Sequence, residues 1–146
     1  MSKKLPPEIT LEVRDTCLCL HTQRAARALA RRFDEALRPT GLTSGQFSLL
    51  MALNRPQPPA MGPVAQLLAM DRTTLTAALK PLGRDGLVAT GADPEDRRNR
   101  LLTLTKKGHE VLLAAVPIWR ATHAAVEAAL PTLDPGLLRV ALNALA

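Results

Sequence analysis

Apolar residues return every three or four positions from about Val13 onward. Leu18, Ala25, Leu29, Phe33 and Leu37 share one side of a helix, and Arg24, Arg27, Arg31, Arg32 and Arg38 fill other positions. Pro39 and Gly41 end this long first helix. Thr43 is placed to cap a second helix, Gln46 completes a capping box with it, and Leu42 can staple onto Phe47. That helix carries Leu49, Leu50 and Leu53 until Arg55-Pro56-Gln57-Pro58-Pro59 breaks it. Gly62-Pro63 starts a short third helix, Val64 to Ala69, with Pro63 at the first helical position, where its missing N–H costs little. Asp71 caps a fourth, whose buried stripe is Leu75, Leu79 and Leu82. Pro81 should bend it or end it early, and Gly86 should close it in the left-handed conformation.

The period then changes. Leu87 to Thr90 and Arg100 to Leu104 read as two short strands, separated by a polar, turn-forming segment from Gly91 to Asn99. Thr105 caps a long fifth helix through Leu112, Val116, Trp119, His123 and Val126 to Leu130, with Pro117 as a point of kinking. Asp134-Pro135 opens a last helix with Leu137, Leu138, Ala141, Leu142 and Leu145. Helix, tight turn, helix and hairpin in this order describe a winged helix-turn-helix. The fold class is therefore mainly α with a small β-hairpin wing. No repeat, low-complexity tract or linker divides the 146 residues, so one domain over 1–146 is expected.

Charge adds a partner to this picture. Nineteen Lys+Arg against thirteen Asp+Glu give a net charge of +6, a balance suited to a polyanion. A step of about 100° per residue places Thr73, Ala77, Lys80 and Arg84 opposite the leucine stripe of the fourth helix, with Arg72 and Thr76 on its flanks. Such a face is small at its N-terminal half and cationic at its C-terminal half. Small hydroxylated residues admit a helix closely to a major groove, where Thr73, Thr74 and Thr76 meet base edges, Ala77 leaves room, Arg72 reads guanine and Lys80 meets phosphate. The hairpin loop carries Arg97, Arg98 and Arg100, which repel one another unless an anion lies near. An arginine suits the potential of a narrow minor groove, and Asp96 can hold one of the three in a charge-assisted pair. Ser44, at the start of the second helix, is a further expected phosphate contact. The alternative for each element is an ordinary solvated face; their combination favours double-stranded DNA.

Composition excludes other classes. Only three aromatic residues are present, Phe33, Phe47 and Trp119, which argues against base-stacking platforms for single strands. The N-terminus lacks an apolar signal core and no apolar run approaches membrane-spanning length, so a cytoplasmic protein without a membrane partner is expected. No phosphate loop, nucleophile elbow, paired-carboxylate site or zinc motif is found, so neither an enzyme nor a cofactor is expected.

The segments LTSGQFSLLMAL, PVAQLLAMDRTTLTAALKPLGRDGLV and DPEDRRNRLLTLTKKG make the chain resemble the MarR family of bacterial transcription regulators over nearly its whole length. The resemblance implies a homodimer whose helical dimerisation region is built from N- and C-terminal helices, residues 8–38 and 106–146. Residues 43–105 would form the winged module, and two modules would straddle a palindromic operator. It further implies repression relieved by a small phenolic or carboxylate ligand, an oxidant or a metal. By motif position Arg98 matches the arginine that enters the minor groove, with Arg97 at the wing tip.

A pocket for a small aromatic acid or phenol is expected near Cys19, Met51, Trp119 and His123. Cys19 matches the position of a peroxide-sensing cysteine in some members, but their partnering tyrosines are missing because the chain has no Tyr. Buried packing, redox sensing and pocket lining remain open for it. Cys17 and His21, four apart, are a metal pair only if further ligands join them, and no metal site is expected. The rival classes are a cysteine-based redox regulator and, further off, a thiol-dependent enzyme.

Overall fold

The computed structural model describes residues 3–146. Its elements are α1 (Pro7–Thr16), α2 (Leu18–Leu37), α3 (Ser44–Leu53), α4 (Met61–Leu67), α5 (Arg72–Arg84), β1 (Val88–Ala92), β2 (Arg100–Leu104), α6 (Lys106–Ala128) and α7 (Pro135–Leu145). A 3-10 turn over Arg38–Thr40 follows α2. The strands pair antiparallel, Val88 against Leu104 and Ala92 against Arg100. Pro59 accepts the Leu102 N–H at 2.9 Å, and Ala60 bridges Leu101, so the segment before α4 covers the free edge of β2. The core is apolar throughout: Leu37, Leu49, Leu50, Val64, Leu75, Leu82 and Leu102 are its most deeply buried large side chains. It binds α3, α4, α5 and the hairpin into one body, with α2 and α6 packed across α3.

Local chemistry sets the element ends. The Thr43–Gln46 capping box is formed, with N–H to oxygen distances of 3.2 and 3.0 Å, and both Leu42 and Phe47 are buried beyond it. The helix turns after α4 and α5 use one device. Met70 N–H reaches Ala65 O (2.9 Å) and Ala69 N–H reaches Gln66 O; likewise Leu87 N–H reaches Leu82 O (2.9 Å) and Gly86 N–H reaches Gly83 O. The left-handed position is Gly86 (φ 73°) in the second and Ala69 (φ 52°) in the first.

Several sequence expectations are corrected. The first helix is two helices: Cys17 leaves helical geometry (ψ 110°), and its sulfur accepts the Leu20 N–H at 3.4 Å as the cap of α2. α4 starts at Met61, so Pro63 stands third in the helix rather than first. It is tolerated there because the whole first turn lacks intrahelical acceptors for its N–H groups. Pro81 does not end α5, which continues to Arg84. β1 begins one residue late and extends to Ala92.

α6 opens on the expected Thr105 cap and is seated by further contacts that sequence patterning missed. Thr105 Oγ1 donates to Gly86 O (2.6 Å) and accepts the Gly108 N–H (3.0 Å). The Lys107 ammonium donates to Asp85 O at 2.8 Å. Gly108 faces the Leu87 carbonyl so closely that a Cβ would overlap it. The two ends of the chain are different: α1 and α7 bury no residue, and Leu5, Leu137, Val140 and Leu145 are all more than 60% exposed.

Candidate nucleic-acid interface and ligand groove

α5 is aimed by its first turn. Asp71 Oδ1 accepts the Thr74 N–H at 2.7 Å, and this bond holds the Asp71 carboxyl below its ordinary range. Leu75 and Leu82 are buried and Leu79 half-buried, which turns Arg72, Thr73, Thr74, Thr76, Ala77, Lys80 and Arg84 outward. Thr76 Oγ1 donates to the Arg72 carbonyl at 2.8 Å, so its lone pairs stay available to an outside donor. The exposed face bears no carboxylate between Arg72 and Arg84.

The hairpin tip is ordered by its own acids. Asp96 Oδ1 accepts the Arg98 backbone N–H (3.0 Å) and its Nε (3.4 Å), while Asp93 Oδ1 accepts the Glu95 N–H (2.9 Å). The Arg98 side chain is nevertheless 92% exposed, tethered at its base with its fork free. Arg97 and Arg100 are also exposed. Between α5 and the hairpin lies a cleft of about 490 Å³, rimmed by Arg72, Lys80, Arg84 and Arg100 over Met61 and Leu79. Arg84 was read from the sequence only as part of the cationic half of the helix. Its spacing of four from Lys80 was the signal that it joins the same rim.

Trp119 stands where the winged module meets α2 and α6. It stacks on Phe47 (6.1 Å between ring centres) and on His123 (4.9 Å). The Phe47–Trp119 pair divides a groove into two compartments. One, about 410 Å³, lies against α2 and holds Ala30, Phe33, Ser44, Gly45 and His123. The other, about 560 Å³, holds Met51, Leu67, Val116 and Arg120. Met51, Trp119 and His123 thus border one divided groove.

Cys19 does not join them: it lies on the first turn of α2 and lines neither compartment. Both thiols are free; Cys17 is half-buried and Cys19 exposed. His21 turns its Nδ1 to the Cys17 carbonyl oxygen (2.7 Å) rather than to a thiol. Among the described residues no group of three or more His, Cys, Asp or Glu is placed to hold a metal ion.

Ser44 is engaged within the protein. Asp34 Oδ1 accepts its N–H at 2.6 Å, and the backbone and hydroxyl bonds to Ser44 lower the Asp34 carboxyl below its usual range. Asp34 thus takes the N–H at the start of α3, beside the residue read as a phosphate contact.

Comparison with known proteins adds sequence kinship to this geometry. No protein-family model matches the chain. The transcriptional regulator MosR of Mycobacterium tuberculosis, solved with DNA, is 41% identical over 88% of this chain and 92% of its own, with a TM-score of 0.79. The transcriptional repressor CouR, bound to a 23-mer duplex, is 26% identical over 98% and 96%, with a TM-score of 0.73. The transcriptional activatory protein BadR of Rhodopseudomonas palustris is 37% identical over 91 residues, 60% of this chain and 52% of BadR. The match thus spans about half the length of that curated relative. No helix among the described residues is long and apolar enough to cross a membrane.

Proposed function

The chain belongs to the MarR family of winged helix-turn-helix transcription regulators, and from that membership we propose that it is a non-catalytic, ligand-responsive repressor that binds a palindromic operator as a homodimer. The observation that carries this is the carboxylate-free outer face of α5 beside a hairpin tip whose arginine fork is free. In this reading α5 enters the major groove. Arg72, Thr73, Thr74, Thr76 and Ala77 meet base edges, and Lys80 meets phosphate. Arg98, tethered by Asp96, enters the adjoining minor groove, with Arg97 and Arg100 on its flanking phosphates.

The unburied apolar faces of α1 and α7 support the dimer, since each needs a cover that its own chain does not supply. A two-fold contact through α1, α2, α6 and α7 sets two α5 helices roughly 34 Å apart, one turn of duplex. The releasing signal is a small aromatic acid or phenol in the groove around Trp119. Such a ligand acts only by binding the DNA-incompetent spacing of the modules better than the competent one.

The test is retention of genomic fragments by the purified protein, followed by anisotropy titrations on the recovered site across a salt series. Arg98→Ala is expected to weaken binding to all sequences and lower the salt slope by about 1. Thr73→Ala is expected to relax preference at particular half-site positions, each base contact being worth about 1–3 kcal/mol. An unchanged affinity and slope in Arg98→Ala sinks the assignment of the hairpin.

A further inference from the structure

Arg24, Arg27 and Arg31 of α2 lie outside both the cleft beside α5 and the groove at Trp119. They are exposed along one side of the helix, with Glu35 one turn further on, and none of the four makes an ion pair among the described residues. Arginines at this spacing repel one another unless an anion lies near. α1 carries the complementary order of charge. Lys4 lies just before it, and Glu8, Glu12 and Asp15 are exposed along its side. Glu8 and Glu12 are unpaired among the described residues, and Asp15 takes only its neighbour Arg14, at 2.7 Å. From Lys4 forward the steps are four, four and three residues, with signs plus, minus, minus, minus. From Glu35 backward they are again four, four and three, with signs minus, plus, plus, plus. Run antiparallel, the two segments set Lys4 against Glu35, Glu8 against Arg31, Glu12 against Arg27 and Asp15 against Arg24, every pair of opposite sign. Run parallel, Lys4 meets Arg24 and Asp15 meets Glu35, which are like charges. The charges therefore select one direction. One chain cannot make this match with itself. α1 ends at Thr16 and α2 begins at Leu18, so Cys17 alone joins them, whereas an antiparallel helix pair needs a connection of two residues or more.

We propose that α1 of a second copy lies antiparallel along the arginine side of α2 in this four-pair register, so that the order of charges lets the chain recognise its own kind. The proposal rests on the homodimer reading above and gives that dimer a register and a means of choosing its partner. The same four pairs form when the two chains are exchanged, so the contact is isologous, and its two-fold axis falls between Cys19 and Leu20. Leu5, Ile9 and Val13 of the same segment border an open groove of about 320 Å³ with Leu20, next to that axis. Apolar burial there supplies affinity, and the charges supply direction and choice of partner. A chain with another order of signs meets like charges along α2 and is turned away.

A single exposed ion pair adds little, so the test reverses three charges together. Arg24→Glu/Arg27→Glu/Arg31→Glu makes the side of α2 acidic, and Glu8→Lys/Glu12→Lys/Asp15→Lys makes the side of α1 basic. All six positions are exposed, and circular dichroism checks that each variant folds. In light scattering at low salt, each triple variant alone is expected to dimerise about 100-fold more weakly than wild type. An equimolar mixture of the two is expected to restore the dimer, with one chain of each kind in it by native mass spectrometry. A chain carrying all six changes is expected to pair with itself and not with wild type.

Triple variants that stay as tightly dimeric as wild type overturn the proposal and leave the homodimer reading standing. Weakening that mixing does not repair overturns it as well. A monomeric wild type overturns the homodimer reading and the proposal with it. If the Arg→Glu variant stays dimeric and loses affinity for duplex DNA instead, the pairing is overturned and the arginines belong to nucleic acid.

Discussion

At the scale of the residue, two left-handed positions in one motif invite a direct comparison. A non-glycine residue there costs about 1–2 kcal/mol, partly offset by the chain entropy that glycine loses on folding. Ala69→Gly is therefore expected to raise stability by roughly 0.5–1 kcal/mol, and Gly86→Ala to lower it by a similar amount, in urea titrations. Gly108→Ala belongs to another class, because its Cβ would meet a backbone carbonyl that cannot move without shifting β1. Its expected cost is about 1–3 kcal/mol, read from the same titration. Asp34 and Asp71 have depressed folded-state carboxyl values, each from an accepted backbone N–H. What they add to stability is complete above the unfolded carboxylate range, near pH 4, and is lost as pH falls through the lowered folded values. Asp71→Asn and Asp34→Asn should each flatten the acid limb of a urea-midpoint profile, and an unaltered limb would remove these caps from the account.

At the scale of the element, legibility followed how local each determinant was. The Thr43–Gln46 box, the Asp71 cap, the Gly86 turn and the leucine stripe of α5 depend on residues within one or two turns, and all were readable in the sequence. The break at Cys17 was not. No proline or glycine marks it, and the apolar spacing simply continues across it into α2. Gly108 was missed because its role is set by the Leu87 carbonyl, 21 positions earlier in the chain. The exposed face of α5 and the arginines of the hairpin were legible as separate patterns. The cleft that gathers Arg72, Lys80, Arg84 and Arg100 needed the packing of β2 beside α5. Trp119 and His123 were read as neighbours at helical spacing, but the division of their groove depends on Phe47, brought in by α3. Cys19 enters the group through its match to a sensing position in the resembled family, and its place on the first turn of α2, outside both compartments, separates it.

At the scale of the whole molecule, the winged module has a closed apolar core, whereas the terminal helices bury nothing of their own. Removing residues 131–146 should therefore leave the hairpin and α5 folded in principle, yet yield monomers or aggregates that lose the operator. A soluble truncation that stays dimeric by light scattering and still binds would refute the proposed two-fold contact. Because association and folding of the ends are linked, the thermal midpoint should rise with protein concentration. The uncovered ends also carry a genetic consequence. A subunit with intact α1 and α7 but a disabled hairpin, such as Arg98→Ala, can still recruit a normal subunit and spoil its grip on one half-site. Such an allele should interfere dominantly with a wild-type copy in the same cell, and deleting α7 from the mutant subunit should make it recessive.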